Sequence, residues 1–214
     1  MTKLLKRAGL GLAGLLLLQA AARLYLFFRP HITPPAVHGL LESRWRRRYR
    51  DPARTLAPLQ AHPGQTLLEI GGGTGLFSGA AVQQVVPGGR VISIDRQRPM
   101  LERLRRRTAG LPPDALHLHL ADARALPLRS RSVDAVVMIA VLPMIPDRVG
   151  ALREARRVLK PGGCLLVSEE LMAPEYVPPA ITLRWAGQAG FALQHRQCGF
   201  WSYSLLLRPG PEAG

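Results

Sequence analysis

Three acids and a run of glycines carry the chemistry that this chain offers on its face. Glu69 stands two residues before Gly71, and Gly72, Gly73 and Gly75 follow. An apolar run that ends in glycines and then turns helix-compatible is a strand, a tight turn and a helix N-terminus. Glycine there lets the backbone approach a ligand, and a helix start offers N–H groups without partners. Asp95 closes the run Val91-Ile92-Ser93-Ile94 and has Arg96 beside it and Met100 close behind. Asp122 and Ala123 follow a third apolar run, and Glu169-Glu170 close a fifth. A dinucleotide site wants Gly-x-Gly-x-x-Gly or Ala. Gly71 and Gly73 fit that pattern, but Leu76 takes the third place, and glycine recurs instead at every second position. Glu69 would repel a pyrophosphate and suits a ligand that carries a cation. Asp95 can accept hydrogen bonds from both hydroxyls of a ribose, and Asp122 with Ala123 can accept from an adenine amino group. A nucleoside with a cationic amino-acid end fits the three acids better than a diphosphate does.

Those residues need a scaffold, and the patterning from about Thr55 supplies one. Strands are expected over 66–70, 90–94, 116–120, 133–140 and 164–168, with helices over 76–86, 99–109, 148–159 and 181–189. A closing pair of strands, 191–198 and 201–207, surrounds Gly199. Repeated strand–helix units predict an α/β fold: a doubly wound, Rossmann-like sheet, mostly parallel, with an antiparallel last strand. In such sheets ligands bind beyond the carboxyl ends of the strands, which is where the glycines and acids fall. Ala140, at the end of the fourth strand, joins the expected ligand-lining set.

The rest of the chain reads as an attachment. Hydrophobic residues make up 47% of the 214, so most of the chain can bury a core. The net charge of +15 favours anionic partners, either nucleic acid or an anionic membrane face. Cys164 and Cys198 form no metal-ligand spacing and no disulfide framework, which suits a reduced, cytosol-facing compartment. Residues 1–29 are expected to be a membrane anchor helix. Lys3, Lys6 and Arg7 precede a stretch over 8–28 that is uncharged except for Arg23, and a helix of that length reaches about 30 Å. The helix either spans the bilayer or lies in the interface; Ala20-Ala21-Ala22 also resembles a leader cleavage site. Residues 30–54 read as a proline-containing basic linker, with Pro30, Pro34 and Pro35 followed by Arg44, Arg46, Arg47, Arg48, Arg50 and Arg54. The run is either a solvated basic helix face or a contact for anionic headgroups, with Trp45 and Tyr49 at the interface. This charge downstream of the anchor places the following domain, 55–208, in the cytoplasm. Residues 209–214 read as a flexible tail.

The domain resembles the class I S-adenosylmethionine-dependent methyltransferases, in the branch that includes ubiquinone and menaquinone methyltransferases. The resemblance runs from about 56 to 207. It rests on Leu68-Glu69-Ile70-Gly71-Gly72-Gly73-Thr74-Gly75, Ile94-Asp95, Ala121-Asp122-Ala123 with Leu126-Pro127-Leu128, Ser132-Val133-Asp134-Ala135-Val136, and the stretch from Arg153 to Gly163. It implies S-adenosyl-L-methionine as cofactor, with the methionine part on positions 71–75, the ribose at Asp95 and the adenine at Asp122 and Ala123. Asp134 and the turn at 160–163 match structural positions of the family.

One departure bears on the acceptor. Where this branch often has a histidine after the fourth strand, the chain has Ala140-Val141-Leu142-Pro143-Met144-Ile145-Pro146. There is no Asn/Asp-Pro-Pro-Tyr motif of the kind used on base amino groups. An apolar loop beside an anchor points to a lipophilic small molecule or lipid as acceptor: a quinol, a phospholipid amine, a phenol or a thiol. The alternatives are an RNA methyltransferase that uses the arginine run as a phosphate clamp, and a non-enzymatic binding protein on the same fold. Glu169, Glu170, Tyr176 and His31 are the available bases; none is singled out as catalytic, and no metal site is expected.

Overall fold

In the computed structural model the described residues are Gly14, Ala21 and 44–210. The strands are β1 (Thr66–Ile70), β2 (Arg90–Asp95), β3 (Leu116–Leu120), β4 (Val133–Ile139), β5 (Leu159–Glu170), β6 (Phe191–Cys198) and β7 (Ser202–Pro209). They form one seven-stranded sheet in the order β3-β2-β1-β4-β5-β7-β6. β3, β2, β1, β4 and β5 are mutually parallel, while β7 runs antiparallel to both β5 and β6. The chain winds outward from β1 to β3, then returns and winds the other way from β4. The switch point between β1 and β4 is therefore where a ligand crevice opens.

Alternate residues of the strands feed two cores, as the pleat requires. Leu68, Ile70, Val136, Met138, Leu165 and Val167 face one side, against α5 (Arg148–Val158). Leu67, Val91, Val137 and Leu166 face the other, against α3 (Ser78–Val85) and Leu56 and Leu59. α4 (Arg98–Arg107) buries Met100 and Leu104 and leaves its arginines outside. α6 (Pro179–Gln188) precedes β6. Asp134 fastens the lower edge, accepting from the Thr66 N–H at 2.8 Å and from Lys160 Nζ at 2.9 Å.

Two expectations change here. Residues 44–54, read as a linker, hold two short helices instead: α1 (Arg44–Tyr49) and α2 (Pro52–Leu56), the latter capped by Asp51, which accepts from the Arg54 N–H. β5 also starts earlier than its apolar run, because Leu159 pairs with Val133 before the turn that contains Gly162. The anchor expected over 1–29 lies, except for Gly14 and Ala21, outside the described residues. Among the described residues no helix is long and apolar enough to cross a membrane.

Candidate active site

The glycine turn hangs from β2. The Gly71 and Gly72 N–H groups donate to Ile94 O at 2.8 and 3.3 Å, and the Gly73 N–H donates to Asp95 Oδ2 at 3.1 Å. Gly71 has φ +75°, and a Cβ there would stand 2.5 Å from Val141 Cγ2. No larger residue fits where the turn meets the loop after β4. At Gly72 a Cβ would run into Ser93 Oγ, with Glu69 Oε2 at 2.9 Å. Gly75, φ +80°, lies against Leu104 of α4.

Glu69, which the sequence offers to a cationic ligand, commits one carboxylate oxygen to the protein's own interior. It is buried beneath the turn, where Oε2 accepts from Ser78 Oγ at 2.5 Å and Ser93 Oγ at 2.6 Å. It thereby ties β1 to β2 and to the start of α3. Burial pushes its carboxyl pKa up, and the two hydroxyls pull it back. Asp95 is nearly buried and braces the turn, accepting from the Gly73 N–H and, at 2.8 Å, from the Gln97 N–H. Burial raises its pKa, opposed by those backbone N–H groups.

The remaining expected residues divide. Ala140 directly follows β4 at φ +51°, its N–H donating to Ser168 O at 2.8 Å, where the chain leaves the strand for Val141, which abuts Gly71. Met100 is buried and Ala123 almost so, while Arg96 is exposed. Asp122 lies outside β3 with its carboxylate forked by Arg124, and that hydrogen-bonded pair is the largest cause holding its pKa down at about 2. Gly71 to Gly75, Asp95 and Ala140 thus gather at the ends of β1, β2 and β4; Asp122 follows β3 beside them, next to Ala121, whose N–H donates to Asp95 O at 3.2 Å, with its carboxylate already paired to Arg124.

The end of β5 holds what the sequence reading missed. Glu169 and Glu170 point to opposite faces of the sheet, as neighbours on a strand must. Glu170 accepts from Arg46 Nη2 at 2.6 Å, from Arg46 Nε at 3.1 Å and from Tyr49 Oη at 3.0 Å. Burial works against its ionisation, but Arg46 and Arg50 outweigh it and hold the carboxyl below the usual range. Arg50, 1% exposed, donates from Nη1 to Ser168 Oγ at 2.9 Å. Two arginines of the run assigned to headgroups are therefore spent on the protein's own interior. The signal was present: 46, 49 and 50 have i, i+3, i+4 spacing and share one helix face. Glu169 is 1% exposed and its Oε1 has no hydrogen-bond partner. Burial pushes its pKa well up, against the pull of Arg50 and of the Leu142 N–H.

Comparison with known proteins decides what this arrangement is. Residues 68–167 match the model of a methyltransferase domain. Residues 68–167 form a class I S-adenosylmethionine-dependent methyltransferase domain. The chain is 40% identical over 120 residues to a ubiquinone/menaquinone biosynthesis C-methyltransferase of Paracoccus denitrificans, covering 54% of this chain and 46% of that protein. It is 34% identical over 128 residues to a demethylmenaquinone methyltransferase of Symbiobacterium thermophilum, covering 59% and 49%. This chain thus spans about half the length of those two relatives. A crystal structure of a SAM-dependent methyltransferase from Aquifex aeolicus shares the fold, with a TM-score of 0.76 at 19% identity over 82% of this chain and 98% of that one. The methyltransferase domain has S-adenosyl-L-methionine as its cofactor. The residues here fit that group: the turn has no side chain to obstruct a ligand at 71–73 and 75, α3 opens without a side-chain cap, and Asp95 stands at the end of β2.

Proposed function

We propose that this protein transfers a methyl group from S-adenosyl-L-methionine to a lipophilic small molecule or lipid, from a domain held at the cytoplasmic face of a membrane. The observation that carries the acceptor class is the wall that follows β4. From Ala140 to Pro146 no side chain is ionisable; Leu142, Pro143 and Ile145 are buried, and Val141 and Met144 are half-buried. Tyr176 packs against the same cluster. Such a wall excludes water and favours an apolar acceptor. The names of the two relatives above make a quinol the first acceptor to try.

The cofactor supplies a methyl group on a sulfonium, which needs no further activation by the protein. What the chain's residues contribute is placement and dryness: Gly71 to Gly75 and Asp95 hold the donor end, and the 140–146 wall orients the acceptor beside it. Glu170 is locked to Arg46 and unavailable as a base; His31 lies outside the described residues. The membrane part of the proposal rests on the apolar stretch 8–28 and its basic flanks.

The test is labelled-methyl transfer by the full chain into a total membrane extract supplemented with RNA. Label in an organic-soluble molecule is expected, and label confined to RNA would overturn the acceptor class. Extraction of membranes with alkaline carbonate tests the anchor, since release of the full chain into the supernatant removes it.

A further inference from the structure

Two of the three nitrogens of a buried guanidinium beside the glycine turn have nothing to bind. Arg50 arrives from the α1–α2 junction and spans the gap between β5 and α3. Nη1 holds Ser168 Oγ at 2.9 Å, and the guanidinium carbon lies 5.6 Å from the centre of the Phe77 ring. Nε stands 3.9 Å from Glu170 Oε2, too long for a hydrogen bond, and Nε and Nη2 have no hydrogen-bond partner. Phe77 is the N-cap residue of α3, two positions beyond Gly75, and no side chain caps that helix. A cation that cannot shed its proton is therefore buried at the positive end of a helix whose first N–H groups lack a side-chain cap.

Unpartnered guanidinium donors stacked on the N-cap residue of an uncapped helix call for an anion with two oxygens. The neighbouring acids do not fill that role. Glu170 is engaged by Arg46 and Tyr49, Asp95 by Gly73 and Gln97, and Glu69 by Ser78 and Ser93. Glu169 feels the charge of Arg50, but its Oε1 makes no hydrogen bond to the free Nε and Nη2. The turn that precedes α3 is the one on which the cofactor's methionine part rests in the reading above, and that part ends in a carboxylate.

We propose that Arg50 binds the amino-acid carboxylate of the cofactor, together with the N–H groups at the start of α3. The N-terminal helices then complete the cofactor site, and a domain cut at Thr55 lacks part of it. The proposal rests on the S-adenosylmethionine reading of the turn.

The experiment measures equilibrium binding by the full chain, in detergent, of two probes. S-adenosylhomocysteine carries the carboxylate; 5′-methylthioadenosine keeps the nucleoside and lacks the amino-acid end. Arg50→Met is expected to weaken S-adenosylhomocysteine about 10- to 100-fold and 5′-methylthioadenosine less than about 2-fold, the loss of one charge-assisted contact. Equal weakening of both probes, or no weakening of either, overturns the proposal and leaves Arg50 a packing residue. Should Arg50→Met not fold, Arg50→Lys is read by the same ratio between probes, with a smaller preferential loss of S-adenosylhomocysteine expected and an unchanged ratio overturning the proposal. Failure of the unaltered chain to bind S-adenosylhomocysteine overturns the cofactor reading itself and this proposal with it.

Discussion

The carboxyl ends of β1 and β5 each bury an acid beside the ligand crevice, and they do it by opposite means. Glu69 is surrounded by neutral donors, the hydroxyls of Ser78 and Ser93, and burial dominates its titration. Glu170 is buried to a similar degree but faces Arg46, Arg50 and Tyr49, and ionises more readily than a free glutamate. Beside it Glu169, on the opposite face and with one oxygen unpartnered, is pushed furthest up. Burial alone does not set the charge of an acid; the formal charge of its partners does. The β1 end is thus built to be rigid, with a turn fastened from below. The β5 end is an internal ion-pair cluster that recruits the N-terminal helices.

The sharpest way to break that contrast is to remove the anion at β5. Glu170→Ala leaves Arg46 and Arg50 buried without it, and a loss of about 3–5 kcal/mol in unfolding free energy is expected from denaturant titration. A loss below about 1 kcal/mol would mean that α1 is not held by this cluster. At the glycine turn that joins the ends of β1 and β2 the smaller effect is on binding. Asp95→Ala is expected to weaken S-adenosylhomocysteine about tenfold, or about 1.4 kcal/mol, by removing the proposed ribose acceptor and the brace on Gly73. An unchanged affinity removes the ribose assignment.

The smallest effect is a dependence on pH. Glu170 ionises in the fold below its ordinary value near 4.5, so its contribution is present above that pH and is lost as the pH falls through the lowered value. Glu169 runs the other way: its contribution is present below about 4.5 and lost as the pH rises through its raised value. Glu169→Gln, which removes the titrating proton and keeps an acceptor for the Leu142 N–H, is expected to stabilise the chain by about 1 kcal/mol at neutral and alkaline pH and hardly at all in acid. Urea midpoints measured across the pH range decide it; a gain equal at both ends would point to packing and not to charge.

Much of the scaffold was legible because its signals are local. Apolar runs ending at Ile70, Ile94 and Leu120, with glycine or aspartate within the next two residues, announce strands and the crevice at their ends. The order of those strands was visible only as a class, since β7 slipping between β5 and β6 depends on pairing across distant segments. The linker reading of 44–54 went astray because prolines and arginines are the composition of a solvated segment, and the partner that buries Arg46 lies 124 residues away. Glu69 shows the same limit: its spacing from the glycines was plain, but the hydroxyls that claim it come from β2 and α3.

What the sequence by itself determined is the glycine turn after a strand, the acids at successive strand ends and the apolar loop after β4, because each depends on residues adjacent in the chain. Tertiary structure alone decided which way those acids face and what they pair with. Glu69 went under the turn, Glu170 to Arg46, and Arg50 was left with free donors at the start of α3. A side chain's charge state and its available hydrogen bonds are set by whatever the fold packs against it, and neighbours in sequence do not specify that.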